Sequence, residues 1–181
     1  MKPETLSIRN ILLAEDDPRD VELTLAAFAR CHLANNVAVV DDGAEALDYL
    51  FRRGKFKARS GGDPVVVLLD NHMPKVNGLE VLKVMKADER LKLIPVVILT
   101  SSRETPDLTD FYKHGVNAYV VKPVGFAEFM KAVQQLGIFW AVVNEPPPPV
   151  RSEAPRSSVR EDLPPEDMRL TNEISITHPA S

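Results

Sequence analysis

Acidic, hydroxyl and basic side chains follow the apolar runs of this 181-residue chain, and together they could hold a metal ion and accept a phosphoryl group. The polar residues at the ends of the runs are Glu15 and Asp16, Asp70, Thr100 and Ser101, and Lys122. Mg²⁺ prefers oxygen ligands, and a carboxylate can act as a nucleophile toward phosphorus. These residue types therefore predict Mg²⁺-dependent phosphorylation of an aspartate.

The apolar runs themselves predict the strands that must position these side chains. The runs cover residues 11–14, 37–40, 65–69, 96–99 and 118–121. Short apolar runs bounded by polar and turn residues are typical of buried parallel strands, and helical patterns alternate with them here. We expect an α/β fold in which a doubly wound, five-stranded parallel sheet carries helices on both faces. Ligands bind outside the carboxyl ends of such strands, so the polar residues should converge at one edge.

The three consecutive acids after the first run need not share one role. Asp17 precedes Pro18 at a predicted helix start, so we expect its oxygen to cap backbone N–H groups. Glu15 and Asp16 then remain as the acidic pair that faces the site. The alternative for adjacent acids in a loop is simple solvation by water.

Asp70 is the predicted centre, because a rigid buried strand carries its carboxylate. It could be a metal ligand, a nucleophile or both, and a backbone carbonyl of the following loop could add a further metal ligand. Thr100 and Ser101 are either turn caps or donors to a phosphoryl oxygen. Lys122 is either a solvated charge or the charge partner of the carboxylates, and its place after an apolar strand favours the second.

Composition limits the remaining function classes. The net charge of −4 gives no general attraction to nucleic acid, and no apolar stretch approaches a membrane span. The single cysteine, Cys31, excludes an intramolecular disulfide. We expect a cytoplasmic protein with one folded domain over residues 1–144 and a Pro/Ser-rich, disordered tail over residues 145–181.

The ordered set of motifs resembles the receiver domain of two-component response regulators, over about residues 8–143. The motifs are Glu15-Asp16, Asp70-x-x-Met73-Pro74-x-x-x-Gly78, Thr100-Ser101 and Tyr119-x-x-Lys122-Pro123. A narrower resemblance is to the small single-domain regulators paired with bacterial phytochromes. The long loop before the third strand and the ending from Phe139-Trp140 to Asn144-Glu145-Pro146-Pro147 carry it. The resemblance implies a flavodoxin-like sheet with strand order 2-1-3-4-5.

The resemblance also implies a role for each site residue. Asp70 would accept the phosphoryl group from a phosphohistidine of a sensor histidine kinase, and Lys122 would pair first with the carboxylate and then with the phosphoryl group. The implied Mg²⁺ ligands are Asp16, Asp70 and the carbonyl of His72, with Glu15 acting through water. The implied switch residues are Thr100, Ser101 and Tyr119: Thr100 would bond the phosphoryl oxygen and Tyr119 would swing inward.

The residue two positions after Asp70 separates two classes of protein. Mg²⁺-dependent phosphatases with an aspartate nucleophile generally carry a second aspartate there, whereas this chain has His72. We therefore favour a phosphoacceptor switch and predict that the His72 side chain flanks the site and tunes hydrolysis; an exposed histidine with no role is the alternative. A receiver that serves as a fixed binding module is disfavoured by the presence of Asp70, Thr100 and Lys122.

The end of the last helix suggests how a signal leaves the protein. Its predicted inner stripe is Phe126, Phe129, Met130, Val133, Leu136 and Trp140. The unbroken apolar run 138–143, which includes Phe139 and Trp140, exceeds what that stripe needs, and such a patch usually marks an interface. We predict a homodimer through the fourth helix, fifth strand and fifth helix; the alternative is that the tail covers the run.

Overall fold

Five parallel strands form the sheet, in the spatial order 2-1-3-4-5. Their bounds are β1 Ile11–Ala14, β2 Val37–Val40, β3 Val66–Leu69, β4 Val96–Thr100 and β5 Ala118–Val121. The computed structural model describes residues 10–101 and 105–145, and for residues 35 and 105–107 only the backbone. The predicted fold class and strand order are confirmed. Apart from Glu145, the predicted tail lies outside the described residues.

In the described part of the chain, five α-helices connect and cover the strands. Their bounds are α1 Pro18–Ala29, α2 Gly43–Phe51, α3 Gly78–Ala87, α4 Thr105–Lys113 and α5 Phe126–Ile138, and one π-helical turn, Phe139–Val143, extends α5. Asp17 caps α1, since its Oδ1 accepts from the Arg19 N–H at 2.8 Å. Asn77 and Glu80 form a reciprocal capping box at α3. The starts of these helices thus follow from local polar residues.

Alternate residues of each central strand enter two separate cores, as expected for a sheet buried on both faces. One core contains Leu12, Leu69 and Ile98 with side chains of α2, α3 and α4. The other contains Leu13 and Leu68 with side chains of α1 and α5. The strands are therefore held rigidly, which fixes where their carboxyl ends lie.

The predicted inner stripe of α5 packs against the core except at its first residue. Phe129, Met130 and Val133 are buried, but Phe126 is 60% exposed. Phe126 begins the helix and lines a cavity with residues of the preceding loop, so it does not reach the core. Over residues 10–101 and 105–145, no helix has the length and apolar character that crossing a membrane requires.

Candidate functional site

A cavity of about 340 Å³ lies at the carboxyl edge of the sheet. Its lining residues are Glu15, Asp16, Asp17, Asp20, Asp70, His72, Ser101 and Lys122. They follow β1, β3, β4 and β5 or belong to the start of α1, so the convergence predicted from the strand ends is present. Five carboxylates and one ammonium line this cavity, which leaves it strongly negative.

Three of the carboxylates are placed to share a cation. Glu15, Asp16 and Asp70 each offer an oxygen, and these oxygens lie within 4.8 Å of one another. Glu15 and Asp70 are buried, whereas Asp16 is exposed. Hard oxygen donors and a surplus of negative charge fit a hard divalent ion such as Mg²⁺, which keeps several waters in addition to one or two carboxylates.

Asp70 is positioned by backbone contacts on both sides. Its N–H donates to the Ala14 carbonyl at 3.0 Å, which continues the pairing of β1 and β3 by one residue. Its Oδ2 accepts from the His72 N–H at 2.6 Å, so the following loop folds back over the carboxylate. Gly78 allows this path, because a Cβ there would lie 2.4 Å from the Asp70 carbonyl oxygen. His72 is exposed and lines the cavity, and the role of its side chain stays a prediction.

Lys122 is the cation at the centre of the site. Its Nζ donates to Glu15 Oε2 at 2.6 Å and to Asp20 Oδ2 at 2.7 Å, and lies 3.1 Å from Asp70 Oδ1. Burial alone would lower the pKa of Lys122, but the hydrogen bonds to Asp20 and Glu15 and the charge of Asp70 outweigh it and raise the pKa above its usual range. The predicted pairing of Lys122 with carboxylates is confirmed in the geometry.

Asp20 is the site residue that the sequence analysis missed. The only available signal was an acidic residue in the first turn of α1, which helix capping explains equally well. Its contact with Lys122 joins residues 102 positions apart in the chain. No local pattern reports such a contact.

Burial also acts on Glu15, whose side chain is 4% exposed. Desolvation raises the pKa of Glu15 to about 7, although the hydrogen bond and charge of Lys122 act in the opposite direction. Glu15 therefore retains its charge only with help from nearby cations. The ion pair with Lys122 is the part of that help that the structure shows.

The predicted switch residues differ in how exposed they are. Ser101 is exposed and lines the cavity, whereas Thr100 is fully buried as the last residue of β4. The Thr100 carbonyl accepts from the Lys122 N–H at 2.7 Å. Tyr119 is half-buried, and its ring centroid lies 5.6 Å from that of Phe111 on α4. The switch roles of these residues stay predictions.

Comparison with known proteins identifies the family to which the chain belongs. The family model described as the response regulator receiver domain matches residues 11–134, which contain the whole acidic cavity. The chain belongs to the response regulator receiver domain family. Response regulator Rcp1 of Synechocystis sp. is 32% identical over 140 residues, which are 77% of this chain and 94% of Rcp1.

Solved structures of phytochrome-linked regulators are similar to the chain throughout the receiver domain. The bacteriophytochrome response regulator RtBRR is 60% identical, with a TM-score of 0.63, over 78% of this chain and 85% of that one. The phosphorylated cyanobacterial phytochrome response regulator RcpA is 34% identical, with a TM-score of 0.72, over 77% and 99%. Receiver domains bind a divalent metal, and one solved structure is the Mn²⁺-bound form of Rcp1.

The assignment of Asp16, but not Asp17, to the acidic cluster can be tested by measuring metal affinity. Replacing Asp16 with Asn removes one carboxylate of the cluster, and we expect the affinity for Mn²⁺ or Mg²⁺ to fall at least about tenfold, which is ~1.4 kcal/mol. Isothermal titration calorimetry measures this affinity. The matched control is Asp17→Asn, because Asp17 lies beside Asp16 but caps α1. An equal loss of affinity in both variants would contradict the assignment.

Proposed function

We propose that this protein is a response regulator that accepts a phosphoryl group on Asp70 from a sensor histidine kinase, with Mg²⁺ as the cofactor. Receiver domains partner with sensor histidine kinases. The observation that carries the proposal is the position of the Asp70 carboxylate, which is shared between the acidic cluster and the ammonium of Lys122. We place the reaction in the cytoplasm, in a receiver domain that occupies residues 1–144.

The chemistry follows from charge and position. A carboxylate oxygen of Asp70 attacks phosphorus, the bond from phosphorus to the histidine nitrogen of the donor breaks, and an acyl phosphate forms. Asp16, Asp70, Glu15 and the carbonyl of His72 would hold Mg²⁺, which neutralises charge on the transferring oxygens when it is bound. Lys122 supplies a second positive charge at the same oxygens, so no general base is needed.

The phosphoryl group then changes the surroundings of the acceptor. Thr100 is fully buried at the end of β4, so we expect its hydroxyl to reach a phosphoryl oxygen through a rearrangement at that strand end. Tyr119 packs on Phe111 of α4, which connects such a movement to the outer face of the domain. We propose that Thr100, Ser101 and Tyr119 form this switch. The phytochrome-linked relatives make a bacterial phytochrome a natural candidate for the kinase.

Phosphorylation of Asp70 is tested by incubating the protein with acetyl phosphate and Mg²⁺ and measuring its intact mass. We expect wild type to gain one phosphoryl group and Asp70→Asn to gain none, because the amide is not a nucleophile. Asp41→Asn, at the end of β2 and outside the cavity lining, should still be labelled. An unlabelled wild type would favour a fixed binding module, and rapid turnover of many phosphomonoesters would favour a phosphatase.

His72 offers a separate test, because it is exposed and lines the cavity that contains Asp70. We expect His72→Ala to shorten the lifetime of phospho-Asp70 at least about threefold, since water then reaches the acyl phosphate more easily. The decay of the phosphorylated mass over time gives the lifetime. His72→Gln preserves most of the side chain's bulk and should stay near wild type. Equal lifetimes in wild type and His72→Ala would remove His72 from the mechanism.

The proposed output is a homodimer through α4, β5 and α5. The exposed apolar side chains at the end of α5 are Ile138, Phe139, Val142 and Val143, each 44–62% exposed. A groove of about 540 Å³ lies between β5 and α5, and its lining includes Ala118, Phe139 and the half-buried Trp140. Tyr112 of α4 is 55% exposed. Apolar surface of this extent usually marks an interface.

Light scattering at micromolar concentration tests the dimer. We expect wild type to show twice the mass of the chain and Phe139→Glu to show the monomer mass, because a charge would be buried without a partner. Val84→Glu is the matched control, since Val84 is an exposed apolar residue on α3. A monomeric wild type, or dissociation of both variants, would argue against this interface.

A further inference from the structure

The Lys122 ammonium is shared unequally among its three carboxylates. Its Nζ lies 2.6 Å from Glu15 and 2.7 Å from Asp20, but 3.1 Å from Asp70. An ammonium has three donors, of which two are hydrogen-bonded to Glu15 and Asp20 and the third faces Asp70 as an ion pair. A phosphoryl group on Asp70 that takes more than this third contact must therefore displace Glu15 or Asp20.

Asp20 differs from the other two partners of Lys122. Glu15 and Asp70 belong to the acidic cluster that fits a divalent cation, whereas Asp20 lies outside that cluster. Its side chain is 28% exposed, compared with 4% for Glu15 and 8% for Asp70. It also lies in the first turn of α1, where the helix favours a negative charge. With a cation in the cluster, Glu15 and Asp70 would be shared between that cation and Lys122. Asp20 would then be the one partner whose carboxylate contacts only Lys122.

We infer that Asp20 is a positioning residue that holds the Lys122 ammonium in the unphosphorylated protein and competes with the phosphoryl group for it. The inference rests on the proposed function, and it concerns the regulation of the same site. Asp20 thereby lowers the affinity of the site for a phosphoryl group and sets the occupancy of the phosphorylated state. Lys122 moves its hydrogen bond from Asp20 to a phosphoryl oxygen, and Asp20 turns toward water, to which it is already partly exposed.

The direction in which a substitution of Asp20 changes the affinity for a phosphoryl group distinguishes a competing role of Asp20 from a supporting one. If Asp20 competes, removing its charge strengthens the contact between Lys122 and a phosphoryl group. If Asp20 instead aims Lys122 at Asp70, removing it weakens that contact. A merely structural role predicts neither a gain in affinity nor a dependence on Lys122.

Beryllofluoride, a non-hydrolysable analogue of a phosphoryl group on a carboxylate, is the probe. Its affinity is measured by calorimetric titration of the full chain at saturating Mg²⁺. For Asp20→Asn we expect a three- to tenfold gain in affinity, or ~0.7–1.4 kcal/mol. Asp17→Asn is the matched control, because it removes the same charge from the same cavity without touching Lys122. Its affinity should stay within about twofold of wild type, since an exposed charge without a direct contact contributes little.

A double-mutant cycle with Lys122→Met completes the test. In that background Asp20→Asn should give no gain, because the group for which Asp20 competes is absent. Unchanged or weaker binding by Asp20→Asn overturns the inference, as does an equal gain in Asp17→Asn or a gain that persists without Lys122. Asp20→Ser replaces Asp20→Asn if the latter does not fold. A wild type that fails to bind beryllofluoride at all contradicts the proposed function itself.

Discussion

The ion pairs of Lys122 hold the carboxyl edge of the sheet together. Glu15 follows β1 and Asp70 follows β3, and both carboxylates are buried close to one another. Without a cation, two like charges would share a poorly hydrated site, and at least one would take up a proton. Desolvation already raises the pKa of Glu15 to about 7 with Lys122 present. The charge balance of the site therefore depends on one ammonium.

The same charge balance suits the site to a cation and, in the proposed function, to a phosphoryl group after it. Carboxylates outnumber the ammonium in the cavity, so its net charge favours a divalent ion. Once that ion is bound, the surplus of negative charge is small enough for an anionic group to approach Asp70. Asp20, which lies outside the acidic cluster, is proposed to adjust this balance through its ion pair with Lys122.

The path from the site to the surface is short. The Lys122 N–H donates to the Thr100 carbonyl, so the acceptor site is joined to the ends of β4 and β5 by one backbone hydrogen bond. β5 is one of the two edge strands of the sheet, and the half-buried Tyr119 on it packs against Phe111 of α4. In the proposed switch, a change at the Lys122 ammonium would therefore act on the strand that borders the proposed dimer face.

By itself the sequence determined the strands, the helix starts and most of the site. The apolar runs, the Asp17 cap and the capping box of Asn77 and Glu80 depend on residues a few positions apart, whose pattern a single chain displays. Only the tertiary structure decided that Asp20 binds Lys122 and that Phe126 lies outside the core. These outcomes depend on how α1 and the start of α5 pack beside the loop after β5. Such packing brings together residues about a hundred positions apart, and no local sequence pattern predicts it.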